Sequence, residues 1–316
     1  MSNQPAPPSH QLSDEEAAIY DRQLRIWGVE AQTRMRASRV LLIGMGGLAA
    51  EIAKNLVLTG VGALTLLDTV DASPLDLASN FFLAAADVGS NRAAASLSRL
   101  QQLNNNVAID VVNTAVSSLP DSFFLQYHSV ITTELPLSGR LRLSRLFRSQ
   151  QASLSPPRLY AADLFGFTGV LVSDLVAHRY TASRKVNDNG GRQVEVKAVE
   201  GEQRWDDYEA VMDMAEADVR KQCGRKTVDR EAADMFIAAR QRLIAAEEAA
   251  ADGQQAAVGE YSVSGVCAIF GGLIAQEVLK VMSGKEEPHQ NVILLNALKG
   301  TAVVKHLQPP KQASTA

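Results

Sequence analysis

Apolar residues fall along this chain in two alternating rhythms. Short apolar runs, Arg39–Gly44 (RVLLIG), Ala63–Asp68 (ALTLLD), Ala108–Val112 and Ser129–Thr132, predict strands, the first of them a buried parallel one. Between them, residues 46–58 and 91–103 space their apolar positions three and four apart and predict helices. Strands alternating with helices imply βαβ units, and hence an α/β class with a Rossmann-like, mostly parallel sheet flanked by helices. Residues 159–175 (LYAADLFGFTGVLVSDL) read as two strands about a glycine-containing turn, which adds antiparallel members. Asn291–Leu295 and Thr301–His306 read as a hairpin joined by NALKG.

The same rhythm divides the chain. Residues 1–12 and 308–316, rich in Pro, Gln and Ser, are expected to be disordered tails. Ser13 with Glu16 three residues later predicts a capping box opening a helix that carries Ile19, Tyr20, Gln23 and Trp27. A second helical piece over 29–37 leads into the first strand. Residues 13–182 and 261–307 are assigned to the α/β unit. Residues 183–260 are assigned to a helical insertion, with a Gly/Asn loop (NDNGGR), charged helical stretches over 206–221 and 229–248, and an Ala/Gln-rich end. Gly265–Met282 predicts an apolar core helix. Gln276, Glu277 and Lys280 interrupt it, so no membrane span is expected.

Composition narrows the chemistry. The chain has 316 residues, is 46% hydrophobic, and carries a formal net charge of -4, which gives no electrostatic reason to expect nucleic acid. The polar, Pro-rich start has neither the basic nor the apolar part of a signal peptide. The two cysteines, Cys223 and Cys267, allow no disulfide framework and no CxxC zinc site, and suggest a reducing intracellular compartment. Five histidines fall in no ligand spacing, so no metal site is expected on this chain.

The chemistry-bearing motif is the strand–glycine–helix unit Gly44-Met45-Gly46-Gly47-Leu48-Ala49, with Asp68 closing the next strand 24 residues after Gly44. Gly44 and Gly46 would let a phosphate approach a helix N-terminus, and Asp68 would take a ribose hydroxyl. The motif alone leaves three readings open: a nucleotide-binding adenylation domain, a nicotinamide-dependent (NAD) oxidoreductase, or a turn that is purely architectural.

Around that unit, Tyr20–Gly28 (YDRQLRIWG), RVLLIGMGGLAAEIAKNLVLTGVGALTLLD, DVGSNRAAA, DLFGFTGVLV and GVCAIFGGLIAQEVLKVMSGKEEPHQNVILLNALKG resemble the ubiquitin-activating enzyme superfamily. That superfamily includes the bacterial sulfur-carrier adenylyltransferases. The resemblance covers most of the chain outside 183–260 and the tails, and implies a ThiF/MoeB-like adenylation fold. In the family two related domains pair, and one adenylates the C-terminal glycine of a modifier with Mg-ATP. Active domains carry an arginine in an Asn-Arg-Gln-Phe segment, a lysine in a Gly-Arg-Ser-Lys-like run and an aspartate after the fourth strand. Here Ser79, Arg92 and Glu134 fall at those places.

The departures imply the inactive half of a pair, since the charge that develops as pyrophosphate leaves needs positioned cations. In the family, the arginine of Tyr-Asp-Arg-Gln crosses the dimer interface to the partner's ATP. The resemblance therefore assigns Arg22 that role in trans, and leaves Gly44, Gly46 and Asp68 as a vestigial cofactor pocket. Arg25 shares a face with Arg22 and is read as structural. Neither cysteine resembles the family's catalytic-cysteine motif.

Length and the short insertion place the chain nearest the small, catalytic-cysteine-free subunits of the heterodimers that activate SUMO, with 183–260 as a reduced half of the catalytic-cysteine domain. ATP and Mg would then be bound mainly by the partner. The partners implied are the large catalytic subunit, SUMO and, indirectly, a conjugating enzyme, in the nucleus with some cytoplasmic share. A self-sufficient homodimeric adenylyltransferase stays as the alternative within the family.

Overall fold

A computed structural model describes residues 14–150, 156–187, 194–251 and 262–310. In chain order the elements are α1 (Asp14–Ile19), α2 (Asp21–Arg36), β1 (Arg39–Ile43), α3 (Gly47–Thr59), β2 (Ala63–Leu67), α4 (Arg92–Gln101), β3 (Ala108–Val112), α5 (Asp121–Phe124), β4 (Ser129–Thr132) and α6 (Leu137–Ser149). They continue with β5 (Arg158–Phe165), β6 (Thr168–Asp174), β7 (Ala177–Asn187), β8 (Val194–Arg204), α7 (Tyr208–Met212), α8 (Glu216–Cys223), α9 (Thr227–Ala251), α10 (Ser264–Ser283), β9 (Val292–Asn296) and β10 (Thr301–Lys305).

Eight strands form one sheet in the order β10-β9-β6-β5-β4-β1-β2-β3. The strands from β3 to β5 run parallel, and β6, β9 and β10 add antiparallel pairs. The chain winds from β1 outward to β3, then returns to β4 on the other side of β1. The order therefore reverses between β1 and β4, the point where α/β sheets open a crevice at the strands' carboxyl ends.

Alternation along each strand sends side chains to two covered faces. Val40 and Leu42 join a core with α3 and α10, through residues such as Ile52, Leu56, Phe270 and Ile274. Leu41 and Ile43 join the opposite core with Phe124, Leu143, Phe147, Tyr208 and Phe236. By length and apolarity α10 would pass for a membrane span. Here it packs in the core, with Val266, Cys267, Phe270, Ile274 and Val278 buried.

Two sequence expectations need correction, and one helix had no counterpart in them. The stretch 183–260 is not a purely helical appendage. The structure begins it inside a two-stranded ribbon, β7 with β8, and α7–α9 help cover the second face of the main sheet. The ribbon strands, AHRYTASRKVN and VEVKAVEGEQR, carry no strong apolar alternation, which hid them. Helix α6 was not foreseen, because the buried stripe of Leu143, Ser144 and Phe147 continues through an arginine, Arg140. Gln308, assigned to a disordered tail, exchanges hydrogen bonds with Gln222 at 2.7 and 2.6 Å. The Ser13 capping box, the tails over 1–12 and 311–316, and most of the NDNGGR loop lie outside the described residues.

Candidate functional site

A cleft of about 700 Å³ opens at the switch point, over the carboxyl ends of β1, β2 and β4. Gly44 leaves β1 with φ +88°, and a Cβ there would run into the Thr133 carbonyl. A side chain at this position would thus be both strained and sterically excluded. Gly46 caps α3 without any side-chain cap, so the first amides of α3 are available in principle to an anion.

The chain's own side chains occupy that position. A Cβ on Gly46 would overlap the Glu134 carboxylate, and one on Gly47 would overlap Ser79. Asn80 is fully buried and donates from Nδ2 to the Met45 carbonyl at 2.8 Å, tying the segment after β2 to the glycine turn. Asp68 is saturated. Its Oδ2 accepts from the Met45 amide at 2.9 Å and from Arg92 Nε at 2.9 Å, and its Oδ1 accepts from the Val70 amide at 2.9 Å.

Arg92 sits at the hub of this network. Beyond Asp68, its Nη1 donates to Asp76 Oδ1 at 3.0 Å and its Nη2 to Glu134 Oε2 at 2.7 Å. Burial works against its charge, but Glu134 and Asp68 hold it firmly protonated. Burial pushes the Glu134 carboxyl above the usual carboxylate range despite Arg92, and Glu134 adopts a left-handed backbone, φ 57°. Asp76 behaves oppositely. Burial would raise it, but hydrogen bonds from Ser73 and the pull of Arg92 hold it below its ordinary value.

Among the described residues the cleft offers a triphosphate no unengaged cation. The lining cations are Arg92, spent on three carboxylates, and Arg142, spent on the Val116 and Leu119 carbonyls and on Asp121. Against them stand Asp68, Glu134 and Glu247. An added polyanion would meet a carboxylate over Gly46 and no unengaged guanidinium.

The network predicts a pH-dependent stability. Arg92→Met should cost about 3 kcal/mol at neutral pH, the order expected when one partner of a buried ionic cluster is removed. Without Arg92, which now lowers both, the Glu134 and Asp76 carboxyls would titrate higher. The deficit should therefore shrink as pH falls from 7.5 to 5 and protons remove the repulsion. Urea unfolding at both pH values checks this, and an equal deficit at each would refute it.

Arg22 lies elsewhere. Tyr20 and Gln23 anchor the N-terminal helices onto the far end of α3. Tyr20 is buried beneath Gly60, its hydroxyl accepts from Asn104 Nδ2 at 2.8 Å, and Gln23 Nε2 donates to the Leu58 carbonyl at 3.3 Å. Gly28, at φ 81° and ψ 166°, kinks α2 and separates the two helical pieces expected from the sequence. Arg25 is engaged by Asp21 at 2.8 Å. Arg22 is exposed and, among the described residues, has no ion pair or side-chain hydrogen bond.

The thirteen residues of α3 span about 20 Å, so Arg22 stands a helix length from Gly46 and does not line the cleft. Its neighbours are unusual for a free surface. Ile19, Ile26 and Val29 are 62, 74 and 60% exposed.

Both cysteines are buried. Burial raises the Cys223 thiol and pushes Cys267 up to about 11, the reverse of an activated nucleophile. No group of metal-ligating side chains occurs among the described residues. Asp76 and Asn80 were missed by sequence reasoning. The local Ser73-x-x-Asp76 turn was visible in the chain, but its approach to Arg92 was not.

A model of the ThiF family matches residues 20–315. The SUMO-activating enzyme subunit 1 of Rattus norvegicus is 31% identical over 344 residues, covering 94% of this chain and 96% of that protein. The SUMO-activating enzyme subunit 1 of Homo sapiens is 30% identical over 340 residues, covering 94% and 97% respectively. The crystal structure of selenomethionine-labelled PaaA superposes with a TM-score of 0.64 at 17% identity, covering 95% of this chain and 86% of its own, and shares the fold.

Proposed function

The chain belongs to the ThiF family, and on that premise we propose that it is the small, catalytic-cysteine-free subunit of a heterodimeric SUMO-activating enzyme. Its larger partner binds Mg-ATP and the modifier, and its own cleft serves as structure. Near-full-length similarity to two SUMO-activating subunits supports the modifier assignment. A self-sufficient adenylyltransferase would need a cation free for the phosphates, and Arg92 is engaged by Asp68, Asp76 and Glu134. An oxidoreductase would use Asp68 for a ribose, and here that carboxylate is drawn on by Arg92 and two backbone amides.

The observation that carries the proposal is the place of Arg22. An unpaired guanidinium, flanked by exposed Ile19 and Ile26 and a helix length from this chain's cleft, can reach a triphosphate only on another chain. Docking of α1 and α2 on the partner would bury that apolar surface. It would also present Arg22 to the charge that develops when the modifier's carboxylate attacks the α-phosphate. Exposed Ile269 on α10, which packs beside α2 and α3, extends the surface available to the partner.

Modifier-dependent ATP–pyrophosphate exchange tests the whole reading. This chain alone should show none, and the chain mixed with the large subunit should show strong exchange. Robust exchange by the chain alone would transfer the reading to the homodimeric adenylyltransferase. Cys223→Ser and Cys267→Ala should each leave modifier thioester formation by the heterodimer within about twofold of wild type, as expected of thiols that burial keeps protonated. A thioester lost with either would place the acyl acceptor on this chain.

A further inference from the structure

A second cleft, of about 580 Å³, opens at the other end of the strands. It lies beneath the base of the β7–β8 ribbon, where His128 precedes β4, Arg158 begins β5, and α2 and α10 end. The five residues of β1 separate it from the switch-point cleft by about 17 Å. Nothing in the proposed adenylation role uses it.

Its charge is one-sided. Among the described residues, Arg34, Arg158 and Arg179 line it against a single carboxylate, Glu202. Two of these cations are engaged. Arg179 Nε pairs with Glu202 at 2.9 Å, and Arg34 pairs with Glu30 at 2.6 Å and donates to the Ser283 carbonyl at 3.3 Å.

Arg158 is not engaged. Its side chain has no ion pair or hydrogen-bond partner among the described residues, and its Nε is buried with its hydrogen bond unmade. Burial pulls its pKa down, opposed only in part by Tyr160.

His178 is 5% exposed, stacks on Tyr180, and lines the cleft with a buried Nε2 that also lacks a partner. Burial, with Arg158 and Arg34 beside it, lowers its pKa to about 4, so it is neutral at physiological pH. His128 accepts the Arg39 amide on Nδ1 at 3.0 Å, which places its proton on Nε2.

Native structures leave few buried polar groups unsatisfied, and two such groups lining one basic cleft point to a missing acceptor. We propose that this cleft binds a small soluble phosphate ester, with Arg158, His178 and His128 donating to the phosphoryl oxygens and Val281 and Met282 walling the organic body. A guanidinium fork and two ring N–H groups suit a phosphoryl group, which offers more acceptor oxygens than a carboxylate. The volume is that of a ligand site and is too large for a bare anion.

The test uses the full chain, with phenyl phosphate, inorganic phosphate and benzoate as probes, followed by calorimetry and thermal unfolding. Phenyl phosphate should bind and raise the melting temperature, inorganic phosphate should do so more weakly, and benzoate should not. Arg158→Gln should weaken phenyl phosphate roughly tenfold or more. It should not lower the melting temperature without ligand, because the removed cation has no partner. Ala37→Glu, at the exposed rim, should abolish binding by charge and keeps the test open should Arg158→Gln fold poorly. No binding of phenyl phosphate at millimolar concentration would overturn the site. So would binding that survives both variants, and benzoate binding as tightly would overturn the phosphoryl assignment.

Discussion

Replacing Arg22 with alanine is expected to slow modifier-dependent ATP–pyrophosphate exchange by the heterodimer about 10²–10³-fold, the usual loss of a positioned charge-stabilising donor. The melting temperature of the chain should not move, because Arg22 is exposed and has no ion pair or side-chain hydrogen bond among the described residues. That separation of activity from stability is what distinguishes a residue acting in trans from a structural one. Arg22→Lys should recover only part of the rate, since a point charge replaces a planar fork. Arg25→Ala, which breaks only the exposed pair with Asp21, should stay within about twofold of wild type. A loss below about threefold in Arg22→Ala would leave the N-terminal helices as scaffold and the guanidinium without a task.

The second large effect concerns stability. Asp163→Ala should destabilise the chain by about 3–5 kcal/mol, because it strands a fully buried guanidinium. Arg140 is 1% exposed. It grips both oxygens of Asp163, one through Nη1 and the other through Nη2 at 2.6 Å, and donates from Nε to the Leu135 carbonyl at 2.7 Å. The pair fastens α6 to β5 beneath Tyr208 and Phe236, so its loss should loosen the second face of the sheet. Urea unfolding measures the deficit. The double variant Arg140→Met with Asp163→Leu should recover most of it, since two apolar side chains leave no charge unpaired. If the double variant were as unstable as the single one, the pair's role would be specific geometry and not mutual neutralisation.

The two clefts divide the molecule by electrostatics. At the carboxyl ends of the strands, where the fold offers an anion a helix N-terminus, Glu134 and Ser79 stand over Gly46 and Gly47, and Arg92 is satisfied internally. At the amino ends, Arg158 and His178 are left with hydrogen bonds unmade. Gly44 is needed for packing whatever the cleft holds, because of its positive φ and its approach to Thr133.

Much of the scaffold was legible in the chain. The runs over 39–44, 63–68, 108–112 and 129–132 became β1 to β4 within a residue; the three inner strands are covered on both faces and so are mostly apolar, while β3 is a half-exposed edge strand. The glycine turn, the antiparallel pair about Gly166 and the late helix and hairpin followed from equally local rules. Helix α6 and the ribbon did not. One hides an arginine in its buried stripe, neutralised by a partner 23 residues away, and the other shows no apolar alternation.

The sequence by itself determined the α/β winding, the family resemblance and the loss of the expected Arg and Lys at Ser79 and Arg92, since these depend on residue type and short-range spacing. Only the tertiary structure decided that Arg92 binds three carboxylates drawn from separate segments, that Arg22 stands free at the far end of α3, and that Arg158 and His178 line one cleft without partners. Pairing and orphaning are properties of distance in space. A charge's partner is chosen by how the layers close, which no local pattern in the chain records.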